Sequence, residues 1–215
     1  MQYERKSRLF RVRVWGENAC FTRPEMKVER VSYDVMTPSA ARGILEAILW
    51  KPAMSWRVHE IHVLRPIRWA SIRRNEVSER ISPGRSSLLV EENRVQRAGL
   101  ILRDVAYVIH GSFVLTDRSG QDDNVRKFEE IFARRAAKGQ CFHRPYLGCR
   151  EFAAHFQLLD PNAPDPVPIS ESRDLGFMLY DMDFSREPPM PLWFRARIED
   201  GRMRIPFPGS PEVRR

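Results

Sequence analysis

The sequence predicts an α+β fold, with a ferredoxin-like (RRM-like) βαββαβ domain over residues 1–160 and a small C-terminal antiparallel β-sheet over 169–215. Three observations carry that prediction. A stretch of period-two alternation opens the chain; two capped segments with helical apolar spacing lie among strand-like runs; and the proline-rich stretch Asp160–Pro168 separates all of this from a shorter strand-rich end.

Leu9–Trp15 alternates Phe10, Val12 and Val14 with Arg11 and Arg13, the pattern of a strand with one buried and one basic face. Thr37 then supplies an N-cap and Pro38 a first-turn proline, Ile44, Leu45, Ile48 and Leu49 recur at helical spacing, and Lys51-Pro52 ends the helix at Trp50. His59–Trp69 and Val105–Leu115, rich in β-branched and aromatic residues, read as strands, with Arg73–Gly99 between them as an excursion loop or long hairpin. Asn124 or the aspartates before it cap a second helix whose stripe is Val125, Phe128, Ile131 and Phe132 and whose end is Lys138-Gly139; Arg150–Leu158 reads as the next strand. That order is the split βαβ arrangement, in which both helices cover one face of an antiparallel sheet and the other face is open to a ligand such as single-stranded RNA.

Four prolines in the nine positions Asp160–Pro168 exclude helix and central strand, so this stretch reads as a linker. Beyond it, Leu175–Phe184, Leu192–Asp200 and Arg202–Phe207 read as three strands of one small sheet, the last two joined by an Asp200-Gly201 hairpin turn, with Pro208–Arg215 as a frayed end.

The net charge is +8 and the pI near 9.9, with 31 arginines against five lysines. Arginine grips phosphate with a planar fork and stacks on bases, so the bias points to nucleic acid, although a GC-rich genome writes the same preference. Cys20, Cys141 and Cys149 have neither CxxC spacing nor paired histidines at zinc-ligand intervals, which indicates no disulfide framework and no structural metal and suits a reducing cytoplasm. No apolar run approaches the ~18 residues of a membrane span, so no membrane association and no processed leader are expected.

Cleaving RNA without metal requires a proton taken from the 2′-hydroxyl, charge neutralised on the phosphorane, and a proton given to the departing 5′-oxygen. The candidates are Lys127 on the second helix, Tyr33 before the first, and His143 within Phe142–Tyr146 between Gly139 and Gly148; His59, His62, His110 and His155 fall in strand-like runs. The bland alternatives are a solvated helix lysine, a packing tyrosine and a structural histidine. Arg23, Lys27, Arg30, Arg42 and Lys51, interleaved with Phe21, Tyr33 and Trp50, form the best phosphate-and-stacking patch. Asp122-Asp123 reads as a favoured helix start, and no cofactor or required metal is expected.

Three long stretches carry a resemblance: FTRPEMKVERVSYDVMTPSAARGILEAILWKP (Phe21–Pro52), RRNEVSERI (Arg73–Ile81) and KGQCFHRPYLGCREF (Lys138–Phe152). With them the chain resembles the type I-C (Dvulg subtype) CRISPR-associated proteins of the fifth family of the RAMP superfamily. The resemblance implies an RRM-like domain with a small C-terminal sheet, and an endoribonuclease that cuts precursor CRISPR RNA on the 3′ side of the repeat hairpin. It further implies a 2′,3′-cyclic phosphate made without metal, retention on the 5′ handle with other type I-C surveillance-complex subunits, and binding of double-stranded DNA by some members. Arg144 and Arg150 join the nucleic-acid set within the third stretch. Two family positions depart: the tyrosine before Trp-Lys-Pro is Leu49, and the lysine-histidine pair is Lys127-Phe128. Either Tyr33 or His143 substitutes, or the chain is a non-catalytic RNA-binding scaffold with additional nonspecific DNA binding.

Overall fold

The computed structural model describes residues 5–26, 28–79, 81–84 and 86–215. In β1 (Phe10–Ala19) the side chains of Phe10, Val12 and Val14 are buried, while Arg11 and Arg13 turn to the opposite face. A loop with a short 3-10 turn at Pro24–Met26 leads to α1 (Pro38–Ile48), which starts as its capping residues require: Thr37 is extended and its Oγ1 accepts the Ala40 N–H at 3.3 Å. β2 (Met54–Val63) ends before Pro66, which has no N–H for a ladder, so the strand expected over His59–Trp69 is divided and β3 (Trp69–Val77) begins a separate hairpin.

β4 (Arg94–Leu115) is 22 residues long; its first part pairs with β3, its second with β1 and β2. The polar segment from Arg73 to Gly99 is therefore a hairpin grown outward from a central strand. In α2 (Val125–Ala137), Asn124 Oδ1 accepts the Lys127 N–H at 2.9 Å. β5 (His155–Leu158) is shorter than Arg150–Leu158, because Phe152 already donates to Cys149 O and accepts from Leu147 N–H in a tight local turn.

The strand order is β5-β1-β4-β2-β8, with β3 attached to β4 and every neighbouring pair antiparallel. β6 (Arg173–Asp183) and β7 (Met190–Ile198) form a separate two-stranded sheet, while β8 (Arg202–Arg204) joins β2 instead of completing that sheet as a third strand. Burial decides this: Met203 and Ile205 enter the same core as β1 and β2. The Asp200-Gly201 turn exists, with φ of 47° and 72°, but it redirects the chain toward the main sheet. Nor is the C-terminal end frayed throughout, since Trp193 and Arg214 exchange backbone hydrogen bonds of 2.7 and 2.8 Å.

Both helices pack on the face carrying Phe10. Phe132 of α2 meets Phe10 edge-on at 4.8 Å and Trp56 at 4.6 Å between ring centroids, and Phe113 completes the cluster against Trp56 at 5.3 Å. α1 approaches β4 closely through Gly111, where a Cβ would stand 2.6 Å from Leu45 Cδ1.

The face opposite the helices is not open as expected. Asp160–Ile169 crosses it from β5 over β1 and β4 to β2, pinned at one end by Arg11, which donates to Ala163 O at 2.8 Å and to Asp165 Oδ1 at 2.7 Å, and at the other by Ile169 N–H to Val63 O at 2.9 Å. The prolines that exclude a strand leave a strap, which buries His62 and His110 on the sheet beneath. No helix among the described residues is long and apolar enough to cross a membrane.

Phe132→Ala removes the centre of the aromatic cluster and is expected to lower stability by about 3–5 kcal/mol in urea unfolding. Thr37→Ala, which deletes one cap, is expected to cost about 1 kcal/mol in the same measurement.

Candidate nucleic-acid interface

Leu49 caps α1 in an extended conformation, buried, with its carbonyl accepting the Trp56 indole N–H at 2.8 Å. The next two residues emerge together: Trp50 is 54% exposed and Lys51 is exposed beside it. α2 crosses close by, with Arg135 Nη1 donating to Ile48 O at 3.1 Å. In its first turn Lys127 Nζ donates to Asp123 Oδ1 at 3.2 Å and Asp122 O at 3.3 Å. The Asp123 carboxyl is held below the usual carboxylate range, first by the Gly120 N–H, then by Lys127, with the field of Lys51 adding to both. Asp122-Asp123 thus anchors Lys127, while Lys51 acts on Asp123 only through its field. A chain of paired carboxylates holding a hard cation is not what the geometry offers there.

The loop after α2 is tied to the end of α1 by the Phe142 N–H, which donates to Ala47 O at 2.8 Å, and it presents the Phe142 ring 85% exposed. His143 is exposed, its ring near-parallel to Tyr146 at 6.4 Å, with Nδ1 3.4 Å from Arg144 O. His143, Arg144, Tyr146 and Arg150 line an open cavity of about 390 Å³. Gly148 closes the loop at φ +84°, where a Cβ would lie 2.0 Å from Cys20 O, so no other residue fits. Among the described residues Lys51, Arg144 and Arg150 make no ion pair, which leaves them available to phosphate.

The rest of the sequence-predicted patch is engaged internally. Arg23 donates to Asp34 at 3.2 Å and stacks over the Tyr33 ring at 4.5 Å; Arg30 reaches Glu151 at 3.5 Å; Arg42 bridges Glu46 and Asp181, each at 2.9 Å. These arginines hold the loop to the hairpin and to β6. Lys27 lies outside the described residues. Tyr33 is fully buried, burial raises its pKa, and its hydroxyl accepts the Leu179 N–H at 3.2 Å, so it packs and does not exchange protons with a ligand. Lys127 and His143 share no hydrogen bond among the described residues; about 15 Å of helix axis separates Lys127 from the residue at which the loop leaves α2. At the departing family positions, Leu49 and Phe128 both belong to the core.

Sequence reading missed a second arginine-rich surface. Arg195 and Arg197 of β7, Arg202 and Arg204 of β8 and Arg214 line a cavity of about 660 Å³ together with Glu60, Glu199, Asp200 and Glu212, beside the exposed Phe177 ring, and Asp174 pairs with Arg195 at 2.6 Å and Arg197 at 3.7 Å. The signal was present in Arg-Ala-Arg and Arg-Met-Arg, whose period-two spacing puts all four arginines opposite buried Ala196 and Met203.

A solved structure described as a CRISPR-associated protein superposes with a TM-score of 0.75 at 25% identity, over 99% of each chain. A functionally uncharacterized protein of Streptococcus mutans, SMU1763c, shares the fold at a TM-score of 0.70 and 23% identity over 94% of each chain. In sequence, the CRISPR pre-crRNA endoribonuclease Cas5d of Mannheimia succiniciproducens is 50% identical over 95% of this chain and 98% of its own length. The protein of the same description from Thermus thermophilus is 45% identical over 91% and 90% respectively. The family profile described as CRISPR-associated protein (Cas_Cas5), Cas5d, matches residues 10–206, and the chain belongs to that family.

Proposed function

We propose that this chain binds the repeat hairpin of precursor CRISPR RNA and cleaves it as an endoribonuclease, using the surface where the end of α1, the start of α2 and the Gly139–Gly148 loop meet. The observation that carries the reading is the group of unpaired cations and exposed rings there: Lys51, Arg144 and Arg150 with Trp50 and Phe142. Phosphate gains most from cations that no carboxylate already neutralises, and unpaired bases stack on exposed rings. The two relatives described above, at 45–50% identity, support the substrate class.

In the reaction the RNA 2′-oxygen loses its proton and attacks the adjacent phosphorus, and the bond to the 5′-oxygen breaks as that oxygen gains a proton. The products are a 2′,3′-cyclic phosphate and a 5′-hydroxyl, with no metal in the scheme. Lys127 exchanges its Asp123 contact for the phosphorane, whose charge it neutralises, and His143 transfers protons; the buried Tyr33 hydroxyl is left out of this assignment. The product stays on the 5′ handle in a cytoplasmic type I-C surveillance complex. The ferredoxin-like assignment belongs to the same reading and is supported by the order β5-β1-β4-β2 with both helices on one face. So does the division at 160/169, although β8 returns to β2 and the two parts share one core.

A second reading, a non-catalytic RNA-binding scaffold, is favoured by Leu49 and Phe128, which offer no proton-transfer group. The two separate cleanly: purified protein incubated with repeat RNA in EDTA leaves it whole if the chain is a scaffold. Under the first reading, a single 2′-deoxy substitution at the cut site abolishes cleavage with binding retained, and persistent cutting of that substrate eliminates the internal nucleophile. Lys127→Ala is expected to slow single-turnover cleavage by about 10²–10³-fold, and His143→Ala by about 10²-fold or more. Arg144→Ala and Arg150→Ala are expected to weaken binding and each lower the salt slope by about 1. Double-stranded DNA binding, if it uses the arginine cavity at β7 and β8, falls steeply with salt, and a flat dependence counts against it.

A further inference from the structure

The strap and the sheet beneath it enclose a group of side chains that the proposed cleavage does not use. Glu60 and His62 project from β2 and His110 from β4, all on the face away from the helices; Glu60 is directly opposite His110 in the ladder. His62 is 4% exposed and His110 6%, and their ring centroids are 4.2 Å apart. Both ring nitrogens of His62 and Nε2 of His110 are buried without a hydrogen-bond partner. Orphaned buried polar atoms cost about 1–3 kcal/mol each, and both rings carry at least one.

The surrounding carboxylates supply what the imidazoles lack. Glu60 Oε2 is 3.4 Å from His62 Nε2, and one ligand atom from each of Glu60, His62 and His110 fits within 4.8 Å of the others. From the strap, Asp165 Oδ2 lies 3.3 Å from His110 Nε2 and 3.8 Å from His62 Nδ1. Arg11 holds the other oxygen of Asp165 at 2.7 Å, which aims Oδ2 at the histidines. Bonds of about 2.0–2.2 Å to a tetrahedral ion place neighbouring donors about 3.3–3.6 Å apart, the separation found between Glu60 Oε2 and His62 Nε2.

We propose that Glu60, His62 and His110 form a binding site for one divalent transition-metal ion of the zinc class, with Asp165 of the strap as the carboxylate partner of the two imidazoles, so that the ion and its ligands fasten the strap to the sheet. Two imidazoles and one carboxylate, with water as the fourth ligand, are a donor set such an ion accepts, and Asp165, itself held by Arg11, orients the imidazoles as carboxylate partners of metal ligands commonly do. The ion accepts an electron pair from one nitrogen of each ring. Its place is structural: the site lies on the opposite face of the sheet from Lys127, and the RNA chemistry proceeds without it.

The test is titration of the chelator-stripped full chain with Co(II), read by visible absorption, and with Zn(II), read by thermal shift. One Co(II) per chain, with the intense bands of a four-coordinate site, and a rise in Tm with Zn(II) are the expected results. Glu60→Gln and His110→Gln are each expected to weaken Co(II) binding at least tenfold, while His143→Ala leaves it unchanged. Circular dichroism of the metal-free variants establishes that they fold; should either fail, Asp165→Asn, at the half-buried strap residue facing both rings, is expected to weaken Co(II) binding in the same direction. Absence of stoichiometric binding, an octahedral spectrum typical of a loosely held ion, or binding that survives these substitutions overturns the proposal.

Discussion

The contact of Phe132 with Phe10 and Trp56 is the interaction on which the rest of the molecule depends. It seats α2 on the sheet beside α1, and because the cluster takes the apolar side of β1, β2 and β4, every charged residue on those strands is forced to the far face or the rim. Two consequences follow from that segregation. The helix ends become the place where side chains can be both ordered and exposed, and the far face becomes a polar surface that needs a cover.

At the helix ends, backbone hydrogen bonds do the positioning. Phe142 N–H to Ala47 O and Arg135 to Ile48 O bind the loop and α2 to the close of α1, so Trp50, Lys51 and the His143 loop stand on a fixed frame, not on free coil. The three arginines of the Phe21–Pro52 stretch are engaged within the fold. Arg23, Arg30 and Arg42 spend their charge on Asp34, Glu151, Glu46 and Asp181, which orders the loop and removes those cations from the pool that phosphate can use.

Local signals made much of this legible. Thr37-Pro38 and Asn124 mark the helix starts because a cap is a short-range hydrogen bond, and the alternation in β1 names its buried face. What escaped depends on distant partners. Nothing in residues 202–207 says that Met203 will prefer the core under β2 to a third place beside β7, nor that proline-rich 160–169 will lie across the sheet. The engagement of Arg23 and Arg42 likewise needed coordinates, since their carboxylate partners include Asp181, which is 139 positions from Arg42. Tyr33 read as a proton-transfer candidate by type and place in sequence; burial and the Leu179 N–H decide otherwise.

The central claim is that RNA lies against the junction of α1, α2 and the Gly139–Gly148 loop. Hydrogen exchange of the full chain with and without a non-cleavable 2′-deoxy repeat hairpin tests it most directly. Protection concentrated in residues 49–51, 122–127 and 139–150 is the predicted result. Protection confined to the β3–β4 hairpin or to the strap, with the helix ends unchanged, would contradict the account.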